Sequence, residues 1–215
     1  NDLKVLNQMV RHDIRNNLHI VVSYAKMLTD NVENEDKKYL EKVIHSGSEA
    51  VDITQTAGEV TNAMLRSKAD LTPRNLLSVL EGEIDQVRES HERALVSAEE
   101  TLPDISVMAD EMLESVFRNL LSNAITHNDK ELPEVTVSAT IDEEVVRVRV
   151  ADNGPGIPDT QKGQIFCEGE KGLNSGGTGI GLYLVQTLVD RYDGDVWAED
   201  NEPEGSVFII ELHCA

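Results

Sequence analysis

From Leu3 to Met64 the apolar residues recur with the period of a helix. Leu3, Leu6, Val10, Ile14, Leu18, Val21, Ala25 and Leu28 advance by threes and fours, which lays one stripe along a helix. The polar run from Asp30 to Asp36 interrupts it. Leu40, Val43, Ile44, Val51, Ala57, Val60 and Met64 then make a second stripe. Two long helices with a short connection form an antiparallel hairpin. A lone hairpin cannot cover both stripes, so the pattern predicts pairing with a second copy into a four-helix bundle.

The period changes near Lys68 to Pro73. Asp70 or Thr72 is suited to cap a helix with Pro73 in its first turn, running to about His91. Ala94–Val96 and Ile105–Met108 read as strands, and Asp110 to His127 as a helix. Val135–Ile141 and Val145–Ala151 alternate apolar and polar residues around Asp142-Glu143-Glu144, the signature of a hairpin. A glycine-rich stretch from Gly154 to Gly177 precedes a helix from about Gly179 to Tyr192. The strands Gly194–Ala198 and Val207–Leu212 close the chain. The expected architecture is a helical hairpin over residues 1–68 followed by an α+β domain over 69–215.

Charge narrows the partners. The chain carries 19 basic and 40 acidic side chains, a net charge of −21. Such a field repels nucleic acid and anionic membranes. A solvated acidic surface would account for this; because the acid is spread along the whole chain rather than gathered in a tail, adaptation to a salt-rich cytoplasm is the favoured expectation. No stretch approaches the roughly 20 apolar residues that span a bilayer. The chain opens directly on a helical pattern without Met, so a cytoplasmic fragment of a longer protein is expected. Cys167 and Cys214 lack metal-ligand spacing and are expected as free thiols.

Among the histidines, His12 has the most informative neighbours: Arg11-His12-Asp13-Ile14-Arg15-Asn16. At about 100° per residue His12 points away from Val10 and Ile14, while Asn16 shares its face one turn on. Imidazole becomes a nucleophile when one nitrogen is free and a base holds the other's proton. Asp13 is the candidate base, and Asn16 could orient a phosphoryl oxygen or a water. An ordinary surface histidine fits the same residues.

A second constellation is more specific. Asn119 and Asn123 stand four apart on one predicted helix. Asp152-Asn153-Gly154-Pro155-Gly156 follows a strand, and Gly176-Gly177-Thr178-Gly179-Ile180-Gly181 opens a helix. A carboxylate at a strand end can accept a hydrogen bond from an exocyclic amine such as that of adenine. Glycine backbone at a helix N-terminus offers amides to phosphates, which lets an acidic protein hold an anion. An Asn oxygen can serve Mg²⁺. A dinucleotide fold needs a strand directly before its glycines, and a P-loop needs Gly-Lys-Ser/Thr; neither is present.

The order of these motifs resembles the sensor histidine kinases of two-component systems over essentially the whole chain. The second half is similar to the gyrase, heat-shock chaperone, histidine kinase and MutL ATPases. The resemblance implies a dimerisation and phosphotransfer hairpin followed by a two-layer α+β sandwich that binds ATP. It implies that ATP phosphorylates His12, assisted by Asp13, with Asn16 tied to phosphatase activity. It implies that Asn123 binds Mg²⁺ with Asn119 nearby, and that Asp152 holds the adenine amine. Gly154, Gly156, Gly176, Gly177, Thr178, Gly179 and Gly181 would then line the nucleotide, under a lid anchored by Phe166. A response-regulator aspartate would receive the phosphoryl group. The wording Arg-His-Asp-Ile-Arg-Asn resembles haloarchaeal members in particular.

The chain departs from the common pattern in three places. Asn17 stands where many members have Pro, Thr126 where many have Lys or Arg, and Cys167 follows Phe166 where a second aromatic is usual. Lys171 is a candidate for the missing cation. Two rivals share the residues: another ATPase of the superfamily, and a nucleotide-binding signalling module without kinase activity.

Overall fold

The computed structural model describes residues 2–29, 34–65, 68–91, 93–99, 101–167 and 179–215, without the side chains of 2–9, 34, 35 and 69. The chain divides into two compact units, Asn1–Asn62 and Ala63–Ala215.

The first unit is the expected hairpin of two helices, α1 (Asp2–Thr29) and α2 (Asn34–Leu65). Their seam is built on small residues. Val22, Ala25 and Val51 are buried in it. Gly47 sits so close to α1 that a Cβ there would lie 2.5 Å from Val22 Cγ2. Arg11 crosses to α2, where Nη1 donates to Thr61 Oγ1 at 3.1 Å beside Gly58. A glycine inside a helix costs about 1 kcal/mol against alanine, and the room that Gly47 leaves for the Val22 side chain offsets it here.

The predicted stripes are only partly that seam. Val10, Ile14, Val21, Leu28, Val43 and Met64 are exposed. Two helices meet along one narrow ridge, so a wide apolar face cannot be covered by one neighbour. Leu3 and Leu6 lie outside the described side chains.

In the second unit, the first predicted helix begins later than expected. Thr72–Asn75 is a strand, β1, and the helix α3 spans Leu76–Ser90. β1 pairs antiparallel with β3 (Ser106–Ala109), Pro73 opposite Met108. Proline is tolerated in such a strand because only one side is paired. Neither Asp70 nor Thr72 caps the helix; Asn75 does, its side chain accepting from Ser78 N at 2.8 Å.

The main sheet has five strands in the order β2-β4-β5-β7-β6. These are β2 (Leu95–Ala98), β4 (Glu134–Asp142), β5 (Val145–Asp152), β6 (Asp195–Asp200) and β7 (Ser206–His213). β2 runs parallel to β4; the other pairs are antiparallel. Glu143 adopts a φ of 53° in the predicted β4–β5 turn. Helices α3, α4 (Leu113–Thr126) and α6 (Gly181–Arg191) form the second layer, with a short α5 (Asp159–Lys162) that the sequence did not announce. Val146, Val148 and Val150 of β5 pair with Leu212, Ile210 and Phe208 of β7, and all six are buried. Phe117, Leu120 and Leu121 of α4 and Leu184 and Leu188 of α6 are buried as well. This is the expected two-layer α+β sandwich.

Beneath the start of α4 lies a buried polar knot. Asp110 accepts from Arg191 Nη1 at 2.7 Å, Tyr192 OH at 2.6 Å and Met112 N at 3.0 Å. Burial alone would raise the Asp110 carboxyl, but these donors together hold it below the usual carboxylate range. The group therefore stabilises the fold above the pKa of an unfolded aspartate and loses that contribution as pH falls through its own.

Candidate functional site

On α1 the His12 ring is exposed, as its position off the seam requires. Nδ1 lies 3.4 Å from Asp13 Oδ1. Asn16 Nδ2 lies 3.3 Å from Nδ1 and 3.4 Å from Nε2, one helical turn on. In the tautomer with the proton on Nδ1, Asp13 Oδ1 can accept it and Nε2 keeps its lone pair. Such a pair can do nucleophilic chemistry, and its exposure lets a bulky phosphoryl donor approach.

The other constellation gathers at one end of the sheet. Asp152 ends β5 and is only 6% exposed. Its Oδ1 accepts from Gly154 N at 2.8 Å and Ser206 N at 3.2 Å. Both amides go to that one oxygen, and no described residue donates to Oδ2. Burial pushes the Asp152 carboxyl above the usual range, against the lowering pull of those amides. A buried carboxylate with one oxygen open is a hydrogen-bond acceptor waiting for a ligand donor.

The surrounding turn is fixed by close backbone approach. Gly156 has a φ of +76°, and a Cβ there would lie 3.3 Å from Gly205 O. Asn201 Nδ2 donates to Asp152 O at 2.8 Å, and Asn201 N to Gly205 O at 3.0 Å. Lys130 Nζ reaches Glu204 Oε1 at 2.6 Å, so its ammonium is engaged by the β6–β7 turn.

α4 presents the two asparagines. Asn123 is half-buried, and no hydrogen bond to a described residue engages its side chain. Asn119 turns back to its own helix, Nδ2 donating to Ser115 O at 2.7 Å. Its Oδ1 would sit 2.7 Å from a Cβ on Gly181, so that glycine lets α6 start against α4. Gly179 has a φ of +70° just before α6, a conformation glycine adopts without strain. Phe166 is buried edge-on against Phe208, ring centroids 6.3 Å apart. Thr126 and His127 are both exposed, and partial desolvation of the His127 ring lowers its pKa. Lys171, Gly176, Gly177 and Thr178 lie outside the described residues.

The structure thus brings Asp152, Gly154, Gly156, Asn119, Asn123, Gly179, Gly181 and Phe166 into the second unit, and His12, Asp13 and Asn16 into the first. Sequence reasoning missed Asn128, Asn153, Asn201, Gly205 and Ser206. Asn153 lies inside the Asp-Asn-Gly motif, and Gly205 directly precedes the last strand; those were the signals on offer.

Comparison with known proteins shows what this geometry resembles. Residues 109–215 match the family described as histidine kinase-, DNA gyrase B- and HSP90-like ATPase. The match spans just under half of the chain. Over a longer span, the chain is 27% identical over 215 residues to the signal transduction histidine-protein kinase BaeS of Escherichia coli. The match covers 94% of this chain and 45% of that kinase, so the chain spans under half the length of this relative. Among solved structures, full-length ShkA in complex with AMPPNP matches with a TM-score of 0.68 at 22% identity, over 98% of this chain and 46% of that one. ThkA in complex with the response regulator protein TrrA matches with a TM-score of 0.65 at 22% identity, over 98% of this chain and 61% of that one. At such identity the two structures show a shared fold. Among the described residues no helix is long and apolar enough to cross a membrane.

Proposed function

We propose that the chain is the catalytic core of a protein-histidine kinase that phosphorylates its own His12 from ATP and passes the group to a response-regulator aspartate. The observation that carries it is Asp152: a buried strand-end carboxylate, one oxygen held by two amides and the other open, inside the stretch that matches the ATPase family. That Oδ2 would accept the adenine amine. The backbone around Gly179 and Gly181 would face the phosphates. Asn123 carries a carboxamide oxygen with no hydrogen-bond donor among the described residues, which fits the oxygen-seeking Mg²⁺; the ion would neutralise phosphate charge. In the transfer, His12 Nε2 forms the N–P bond while the bond from phosphorus to the ADP oxygen breaks and its electron pair leaves with ADP. Asp13 would hold the Nδ1 proton and stabilise the imidazolium; Asn16 would orient a phosphoryl oxygen or a hydrolytic water. The ShkA complex with AMPPNP and the ThkA complex with TrrA support nucleotide and receiver partners by similarity. The domains would be 1–68 for dimerisation and phosphotransfer and 69–215 for ATP.

Calorimetric titration tests the nucleotide half. Asp152→Ala should weaken ATP by about ten- to a hundredfold, with or without Mg²⁺, the loss of a charge-assisted bond worth roughly 1.5–3 kcal/mol. Asn123→Ala should weaken it mainly when Mg²⁺ is present. Unchanged ATP affinity in Asp152→Ala would move adenine elsewhere.

The exposed stripe through Val10, Ile14, Val21, Leu28 and Val43 would close a homodimeric four-helix bundle. With −21 on each chain, self-repulsion acts over a Debye length of about 30 Å at 0.01 M salt and about 3 Å at 1 M. A halophilic protein of this kind should therefore gain dimer and autophosphorylation between about 0.1 M and molar KCl. Sedimentation alongside a labelling assay reads both, and full activity as a stable dimer in dilute buffer would remove the halophilic reading.

A further inference from the structure

Asn128 lies just past the end of α4, and its side chain joins the two ends of the nucleotide site. Its turn continues the helix: His127 N donates to Asn123 O at 3.1 Å, and Asn128 N to Ile125 O at 3.2 Å. From there Asn128 Nδ2 reaches Asn153 Oδ1 at 2.8 Å, while Asn128 Oδ1 accepts from Lys130 N at 3.0 Å. Asn153 is the residue directly after Asp152. Its Oδ1 also accepts from Glu134 N at 2.9 Å, and its backbone N donates to Glu134 O at 3.2 Å. A Cβ on Gly154 would meet the Asn128 carboxamide at 3.4 Å. One pair of side chains therefore ties the helix that carries Asn123 to the strand end that carries Asp152.

We propose that the Asn128–Asn153 pair is a strut that fixes the spacing between Asn123 and Asp152, which makes Asn128 a positioning residue for metal-bound nucleotide. The inference rests on the reading of Asp152 as the adenine contact and Asn123 as the metal contact. A ligand held at both ends at once feels an error in that spacing; a ligand held at the base end alone does not. Small misplacements at one end of a two-ended site cost large factors in function. The strut is not needed to hold Asn153 itself, which stays bonded to Glu134 N and, through Nδ2 at 3.4 Å, to Leu132 O.

The test is calorimetric titration of Asn128→Ala with ATP in Mg²⁺ and in EDTA, together with its melting temperature. ATP affinity should fall by about five- to tenfold in Mg²⁺ and by less than about twofold in EDTA. The melting temperature should change little. In a double-mutant cycle Asn128→Ala with Asn153→Ala should cost no more in Mg²⁺ than the worse single change, because both remove the same bond. If Asn128→Ala does not fold, Asn128→Ser carries the same comparison. Equal losses in Mg²⁺ and EDTA, or no loss in either, overturn the strut. Asp152→Ala in the same titration separates the two readings. Retained ATP affinity there overturns the base site; lost affinity there with an unchanged Asn128→Ala overturns the strut alone.

Discussion

His12→Gln is expected to abolish acid-labile, alkali-stable labelling from ATP while ATP affinity stays within about twofold of the parent. Gln has no ring nitrogen lone pair to form the N–P bond, so the loss is complete rather than graded. The proposed nucleotide site should be untouched because Asp152 and Asn123 belong to Ala63–Ala215, whereas His12 belongs to Asn1–Asn62. The five other histidines of the chain give no substitute for the His12 setting. His19 and His45 are exposed on the hairpin without the paired Asp and Asn that approach the His12 ring. Asp13→Asn should keep some labelling at a reduced rate, since in the proposed mechanism the carboxylate would stabilise the imidazolium without supplying the attacking atom. Phosphate labelling retained in His12→Gln would sink the phosphoacceptor assignment and favour the rival reading as a different ATPase.

The second large effect is structural. Gly205 has a φ of +114°, and a Cβ there would lie 1.9 Å from Asp152 O and 2.8 Å from Asp152 C. Both atoms are backbone, so no rotamer change relieves the clash. Gly205→Ala should cost about 2–5 kcal/mol from strain and overpacking together. In a chain of this size that lowers the melting temperature by roughly 4–20 °C. It should also cost ATP affinity, because Ser206 N is one of the two amides on Asp152 Oδ1 and moves with its neighbour. Gly82, in the middle of α3, is the control. A Cβ there meets nothing within 4 Å, so Gly82→Ala should gain up to about 1 kcal/mol from helix propensity. Thermal melts of the two variants side by side read the contrast. Equal melting temperatures would mean that the β6–β7 turn does not seat on Asp152 as described.

Local pattern carried most of the architecture. The helical period through Val10, Ile14, Val21 and Ala25, the alternation in Val145–Ala151, and the turn residues between strands each depend on a few adjacent side chains. They determined two helices, then a mixed layer of helices and strands, in nearly the right places. The motif residues were legible for the same reason: Asp152, Gly154 and Gly156 are contiguous, and so are His12 and Asp13. Where local signals competed, reading them in isolation misled. Pro73 fits a helix start and a one-sided strand equally well, and only the partner strand at Ser106–Ala109 decided between them.

What the sequence could not determine were contacts between distant segments. Asn128 meets Asn153 across 25 residues, and Ser206 meets Asp152 across 54. No periodicity encodes such pairings; they exist because β5 and β7 lie side by side in the sheet and α4 packs beside them. The choice of seam in the hairpin is of the same kind. Apolarity marked a broad face on each helix, but the fit of Gly47 to Val22 selected which ridge is buried and which stripe stays exposed. Chemistry-bearing residue types are set by the chain; their distances, burial and free lone pairs are set by packing, because those properties belong to neighbours that the fold alone brings together.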